Sequence, residues 1–249
     1  MHNYRTRIAR DILVEFMPPV RKSHKVIILA PGAPGSPSDR GAGLEFFARR
    51  GFWAFRFRWR GTWESGGEFL KADPTQDLLD VIDGLARPLP DIWSGEVFHV
   101  DARQIFVVGH SFGGPAAFFV TRDPRVTKVI GLSPVTDWKA PTKFESLEFL
   151  DKIQQPMFGD GYRFARGKNW QMFASGLFYN PVDQLERIDG RKILIFQAAD
   201  DDAVNARSVA RFARQVGARL KMYKRGGHLG SSFLMKPAVY KQMMKFFKS

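Results

Sequence analysis

The chain predicts an α/β fold in which a mostly parallel central sheet carries helices on both faces. Three observations lead there. Short apolar runs rich in β-branched residues alternate with segments of helical spacing from about residue 26 to the C-terminus. The runs are apolar throughout, which is how strands buried on both faces read. The residues with chemistry to offer fall just after those runs, at the edge where open α/β sheets place their sites.

Residues 8–16 alternate apolar Ile8, Ile12, Val14 and Phe16 with polar neighbours and read as one outer strand that Pro18-Pro19 ends. Residues 26–30 form the first buried run and close in the Gly/Pro-rich turn Pro31-Gly32-Ala33-Pro34-Gly35-Ser36. A helix over 44–50 stops at Gly51, and 52–59 is the next strand. Leu78, Leu79, Ile82 and Leu85 sit at helical spacing over 77–86 before Pro88. Strands follow at 105–108 and 126–132, the first leading into a small-residue helix from Gly114. Towards the C-terminus come strand 192–196, helix 205–216, strand 220–223 and helix 238–247. The interval from about 139 to 180 breaks this alternation and is crowded with aromatics, which argues against disorder. It is expected to form a small helical cap inserted into a single domain spanning 1–249.

Composition narrows the partners. The 249 residues suit one large core, and 44% hydrophobic with 25% charged residues is ordinary for a globular chain. With no cysteine there are no disulfides and no thiolate metal sites. The first residues lack the apolar core of a secretory signal, and no apolar run reaches membrane-spanning length. An unprocessed cytoplasmic protein with no membrane partner is therefore expected. The net charge of +13 suits an anionic partner. However, no helix-turn-helix, RNA-recognition or zinc-finger pattern accompanies it, and the Arg/aromatic stretch 56–60 lies on a strand and its exit. The charge reads as a solvated basic surface, and no specific nucleic acid partner is expected.

Gly109-His110-Ser111-Phe112-Gly113 stands between strand 105–108 and the following helix. A serine with glycine two residues either side, at a strand-to-helix turn, is the pattern of a nucleophile elbow. A short motif recurs by chance, so the remaining machinery decides. A serine nucleophile needs a histidine base and a carboxylate that orients it, in the chain order serine, acid, histidine. The run Asp200-Asp201-Asp202 follows strand 192–196, and His228 follows strand 220–223, both on the edge that carries Ser111. Taken alone, the aspartates read equally as a solvated turn, and His228 as a loop residue. Their joint placement and order favour the catalytic reading. His110 adjoins the nucleophile and is expected to point away from Ser111; His2, His24 and His99 have no placement at that edge. An oxyanion would need backbone donors, one from Phe112 after the nucleophile and one from the turn after the early strand, where Ala33 is the choice.

These segments resemble the α/β-hydrolase superfamily, and in detail the catalytic domain of its prolyl-oligopeptidase-like branch. The likeness lies in the stretch 101–114 leading through the elbow, in Ser133-Pro134-Val135-Thr136-Asp137-Trp138, and in the approach from Asn180-Pro181 to Asp201 and Val204. It runs from about Val26 to the C-terminus. The branch places its acid three residues before a valine, which selects Asp201 over Asp200 and Asp202. Three departures stand out. Pro31-Gly32 replaces the His-Gly of the oxyanion turn, Gln197-Ala198 replaces the His-Gly before the acid, and Trp63 stands where glycine is usual.

The reading is a serine carboxylesterase with Ser111, Asp201 and His228 as its catalytic side chains. The aromatic insertion is similar to the cap of cinnamoyl/feruloyl esterases, which implies aryl or short-to-medium acyl esters as substrates. Trp63, Trp138, Phe144, Phe149, Phe158, Trp170 and Phe173 are the candidate pocket residues. A peptidase acting on small aminoacyl amides is the alternative, although residues 1–25 leave no room for the propeller such enzymes carry. A non-catalytic binding protein on the same fold is a third reading. No motif implies a metal or an organic cofactor.

Overall fold

The computed structural model describes residues 1–37, 41–142, 159–165, 171–173 and 175–249. The N-terminal segment expected as one strand is an antiparallel hairpin, β1 (Tyr4–Ile8) and β2 (Ile12–Met17), with Ala9 and Arg10 turning between them at φ 48° and 73°. Alternation over both arms produces the same pattern as one long strand, and neither glycine nor proline marks the turn. β3 (Lys25–Ala30), α1 (Ala42–Ala48) and β4 (Trp53–Phe57) follow, then α2 (Pro74–Gly84). Asp73 caps α2 by accepting from the Thr75 amide, and Pro74 occupies the first turn, where no amide partner is needed.

A small hairpin, β5 (Leu89–Pro90) and β6 (Val97–Phe98), stands outside the main sheet. The remaining elements are β7 (Gln104–His110), α3 (Gly113–Phe119), β8 (Val126–Leu132), β9 (Ile193–Ala198), α4 (Ala206–Val216), β10 (Arg219–Tyr223) and α5 (Pro237–Phe247). Asn205 caps α4 through the Ser208 amide, and Gly217 ends it at φ 72°.

The eight-stranded sheet runs β1-β2-β4-β3-β7-β8-β9-β10 and is parallel from β4 onward. Val26 and Ile28 face one core with Phe55, Val107 and Ile195, while Ile27 faces the other with Phe106, Ile130 and Phe196. Burying each such side chain is worth about 1.5–3 kcal/mol, so the two faces together dominate stability.

Register positions the site. Ala30 pairs with Gly109, His110 with Leu132, Leu132 with Phe196, and Ala198 with Tyr223. The loops after β3, β7, β8, β9 and β10 therefore open side by side on one edge. Within 139–180, the described residues include a 3₁₀ turn at Gly159–Gly161 and isolated bridges from Tyr162 to Thr62 and from Phe164 to Phe69. The segment thus returns across the loop that follows β4. Most of the expected cap lies outside the described residues.

Candidate active site

The β7–α3 turn holds Ser111 at φ 49°, a left-handed conformation that a non-glycine residue adopts at a cost of about 1–2 kcal/mol. Its surroundings explain how it is held. The Ser111 amide donates to the Leu132 carbonyl at 3.1 Å, and its own carbonyl accepts from Gly114 and Val135 at 2.9 and 3.1 Å. A Cβ at Gly109 would lie 2.5 Å from the Gly113 carbonyl oxygen and 2.6 Å from the Ala117 methyl, and one at Gly113 would meet the Ala30 carbonyl. Both glycines are there because the turn packs backbone on backbone.

Asp201 follows β9 with its side chain wholly buried. Both of its oxygens stand 3.1 Å from His228 Nδ1. Oδ1 also accepts from the Ala203 and Val204 amides at 3.0 Å each, and Oδ2 accepts from Gln197 Nε2 at 2.9 Å. Burial pushes the carboxyl upward. The His228 bond and charge, the Val204 amide and the Ser133 hydroxyl outweigh it and hold the group below the usual carboxylate range. A carboxylate on Nδ1 fixes the tautomer and leaves Nε2 of His228 as an acceptor. Ser133, fully buried at φ 41°, accepts from the Leu229 amide at 3.0 Å and so ties the His228 loop to the end of β8.

The structure brings Ser111 and His228 to the wall of one cavity of about 330 Å³. His110 is there too, contrary to the expectation that it points away. Its ring lies 5.0 Å from that of His228, and a Cβ on Gly32 would come within 2.9 Å of its Nδ1. Its Nε2 is buried without a hydrogen-bond partner among the described residues, and burial together with the His228 charge pushes its pKa down to about 4. His110 is therefore neutral at pH 7.

Ala33 and Phe112 are 8% and 2% exposed, and their amides have no acceptor among the described residues. Ala33 lines the cavity with Ser111, and Phe112 follows Ser111 in the chain. The turn bearing Ala33 lacks the expected His-Gly, and Trp59 Nε1 supports it instead by donating to the Pro31 carbonyl at 3.1 Å.

Among the candidate pocket residues, Trp63 lines the cavity. Trp138 and Phe173 do not. They are 7% and 4% exposed and pack against the Phe112 ring at 6.0 and 6.2 Å between centroids. Aromatic richness marks burial as readily as a binding wall. Phe144, Phe149, Phe158 and Trp170 lie outside the described residues. The cavity wall is built instead from the loop 31–37, Phe47, Phe57, Trp59, Tyr162 and Leu234. Among the described residues no cluster of His, Asp or Glu could hold a metal ion, and no helix is long and apolar enough to cross a membrane.

The sequence profile described as the alpha/beta hydrolase family matches residues 27–241. The chain belongs to the alpha/beta hydrolase family. Solved structures agree on the fold. The esterase Pf2001 of Pyrococcus furiosus superposes with a TM-score of 0.68 at 16% identity, over 99% of this chain and 89% of that one. Est1E of Butyrivibrio proteoclasticus gives a TM-score of 0.64 at 17% identity, covering all of both chains. The Pyrococcus horikoshii acylaminoacyl peptidase gives 0.66 at 16% identity, over 99% of this chain and 41% of that one. No functionally curated protein matches the sequence.

Three side chains of this alpha/beta hydrolase escaped sequence reasoning as parts of the site. Gln197 and Ser133 act on the acid and base loops as described. Tyr179, 1% exposed, donates from its hydroxyl to the Phe112 carbonyl and accepts from the Ala116 amide, each at 2.9 Å. It thereby secures the residue after Ser111. Departure from a family pattern was the signal for Gln197; an isolated Ser or Tyr offers none.

Proposed function

We propose that the protein is a serine carboxylesterase that works through an acyl-serine intermediate. The observation that carries the reading is the pair of buried Asp201 and half-buried His228 opening onto the cavity that also holds Ser111 at its strained turn. In the first half-reaction Ser111 Oγ attacks the ester carbonyl while His228 Nε2 takes its proton. The carbonyl electrons move onto oxygen, where the Ala33 and Phe112 amides stabilise the charge, each such donor commonly worth about 3 kcal/mol. The Asp201 carboxylate stabilises the imidazolium. Collapse expels the alkoxide with the proton from His228. Water then repeats the sequence on the acyl-serine, releasing the acid and restoring the serine.

The cavity, lined by Phe47, Phe57, Trp59, Trp63, Tyr162 and Leu234, suits aryl and short-to-medium acyl groups. Assaying p-nitrophenyl esters of graded acyl length on the wild type beside Ser111→Ala tests the reading, with fluorophosphonate labelling as a check. Turnover and labelling are expected only in the wild type. A wild type inert to both would sink the proposal. Similarity of fold to a peptidase keeps amide cleavage as the second reading, and aminoacyl amides cleaved faster than the matching esters would reverse the order.

A further inference from the structure

The loop 31–37 carries the Ala33 donor, yet the main chain from Gly32 to Pro37 makes no backbone–backbone hydrogen bond among the described residues. A loop so free of ladder or turn contacts cannot place an amide to a few tenths of an ångström by itself. Its anchors beyond Trp59 converge on Gly35. Trp63 Nε1 donates to the Gly35 carbonyl at 2.8 Å. The Tyr162 hydroxyl accepts from the Gly35 amide at 2.8 Å and donates back to the Gly35 carbonyl at 3.1 Å. Both polar groups of one peptide residue are thus held by two aromatic side chains.

Those side chains are themselves fixed. Trp63 has φ 47°, its amide donates to the Gly161 carbonyl at 2.7 Å, and its carbonyl accepts from Arg163 at 3.1 Å. A Cβ on Gly161 would lie 2.9 Å from the Trp63 ring, so the two segments are in close contact. Tyr162, 7% exposed, packs its ring at 5.3 Å from Phe69 and 6.2 Å from Trp63. Burial raises its hydroxyl to about 12, so it remains a proton donor at any working pH.

We infer that Trp63 and Tyr162 are positioning residues that set the Ala33 oxyanion donor by clamping Gly35. The inference rests on the serine esterase reading and explains how this chain dispenses with the His-Gly of that turn. It also makes the segment around Gly159–Tyr162 part of the catalytic apparatus through its grip on the loop.

Tyr162→Phe keeps the ring and removes only the hydroxyl, whereas Trp63→Phe removes the indole N–H together with part of the ring that lines the cavity. Each is expected to lower kcat toward p-nitrophenyl esters by about fivefold to tenfold, the worth of one such bond, and Tyr162→Phe, which preserves the cavity wall, is expected to do so with KM changed by less than about twofold. Affinity for an alkyl boronic acid, which builds a tetrahedral adduct on the serine, should fall by the same factor as kcat. Exchange of the Gly35 amide should quicken in Tyr162→Phe, a readout that needs no turnover. An active wild type whose two variants keep kcat and boronate affinity overturns the inference, as does a loss confined to KM. A wild type with no esterase activity and no fluorophosphonate label instead overturns the esterase reading, and the positioning role with it. If Trp63→Phe fails to fold, Tyr162→Phe decides alone.

Discussion

Gln197 Nε2 donates to Oδ2 of Asp201 at 2.9 Å from a fully buried position, while its own Oε1 finds no partner. Nε2 also donates to the Ala198 carbonyl at 3.2 Å; against these contacts, chiefly the one to the charged group, stands one acceptor without a partner among the described residues. Hydrogen bonds to ions are worth about 1.5–3 kcal/mol, and a buried unpaired acceptor costs about 1–3 kcal/mol. Gln197→Met removes both. Thermal or urea unfolding is expected to show stability within about 1 kcal/mol of wild type, while kcat falls by about tenfold because Asp201 is less well held. Loss of stability with kcat intact would mean that Gln197 serves packing alone.

His110 links pH to stability. Its folded pKa of about 4 lies below the 6.5 of an exposed histidine, so the unfolded chain takes up the proton first as pH falls. The contribution is complete above pH 6.5 and is lost by about pH 4, a swing of roughly 3 kcal/mol. His228, through its charge, adds to the depression, and Asp201 opposes it. Urea midpoints of wild type and His110→Asn at pH 7 and pH 5 should diverge, the variant losing less on acidification. Equal losses would remove His110 from the account.

Gly32 and Gly109 are crowded in different ways, and the two alanine variants should separate activity from stability. A Cβ on Gly32 approaches His110 Nδ1 at 2.9 Å and Ser111 Cβ at 3.2 Å, both side-chain atoms, on a loop anchored through Pro31 and Gly35 rather than inside the sheet. Gly32→Ala should cost about 1 kcal/mol of stability yet more than tenfold in kcat, since the donor on Ala33 moves with the loop. At Gly109 the obstacles are the Gly113 backbone and the Ala117 methyl, held inside the sheet–helix contact. Gly109→Ala should cost about 2–3 kcal/mol or more in unfolding experiments. The reverse ranking in stability would contradict both assignments.

Tyr179→Phe tests the support beneath the elbow. Without the hydroxyl, the Phe112 carbonyl and the Ala116 amide lose their shared partner in a wholly buried site. A destabilisation of about 1–3 kcal/mol is expected by calorimetry, with kcat reduced because Phe112 is less firmly placed. An unchanged melting temperature would show that water or a backbone shift satisfies both groups.

Much of this was legible along the chain. The buried runs at 26–30, 105–108 and 126–132 coincide with β3, β7 and β8, since apolar periodicity and β-branching depend only on neighbours in sequence. Glycine sterics made the turn at Ser111 recognisable, and strand order put Ser111, Asp201 and His228 on one edge. Three features were decided in space. The hairpin at Ala9-Arg10 follows from strand pairing, Trp138 and Phe173 were drawn under Phe112 by packing, and the His110 ring lies 5.0 Å from that of His228. The Gly35–Tyr162 contact joins residues 127 positions apart. Local pattern carries no information about which distant groups satisfy one another. Tertiary packing alone decided how the loop bearing Ala33 is held, because a buried peptide must find its partners wherever the fold brings them.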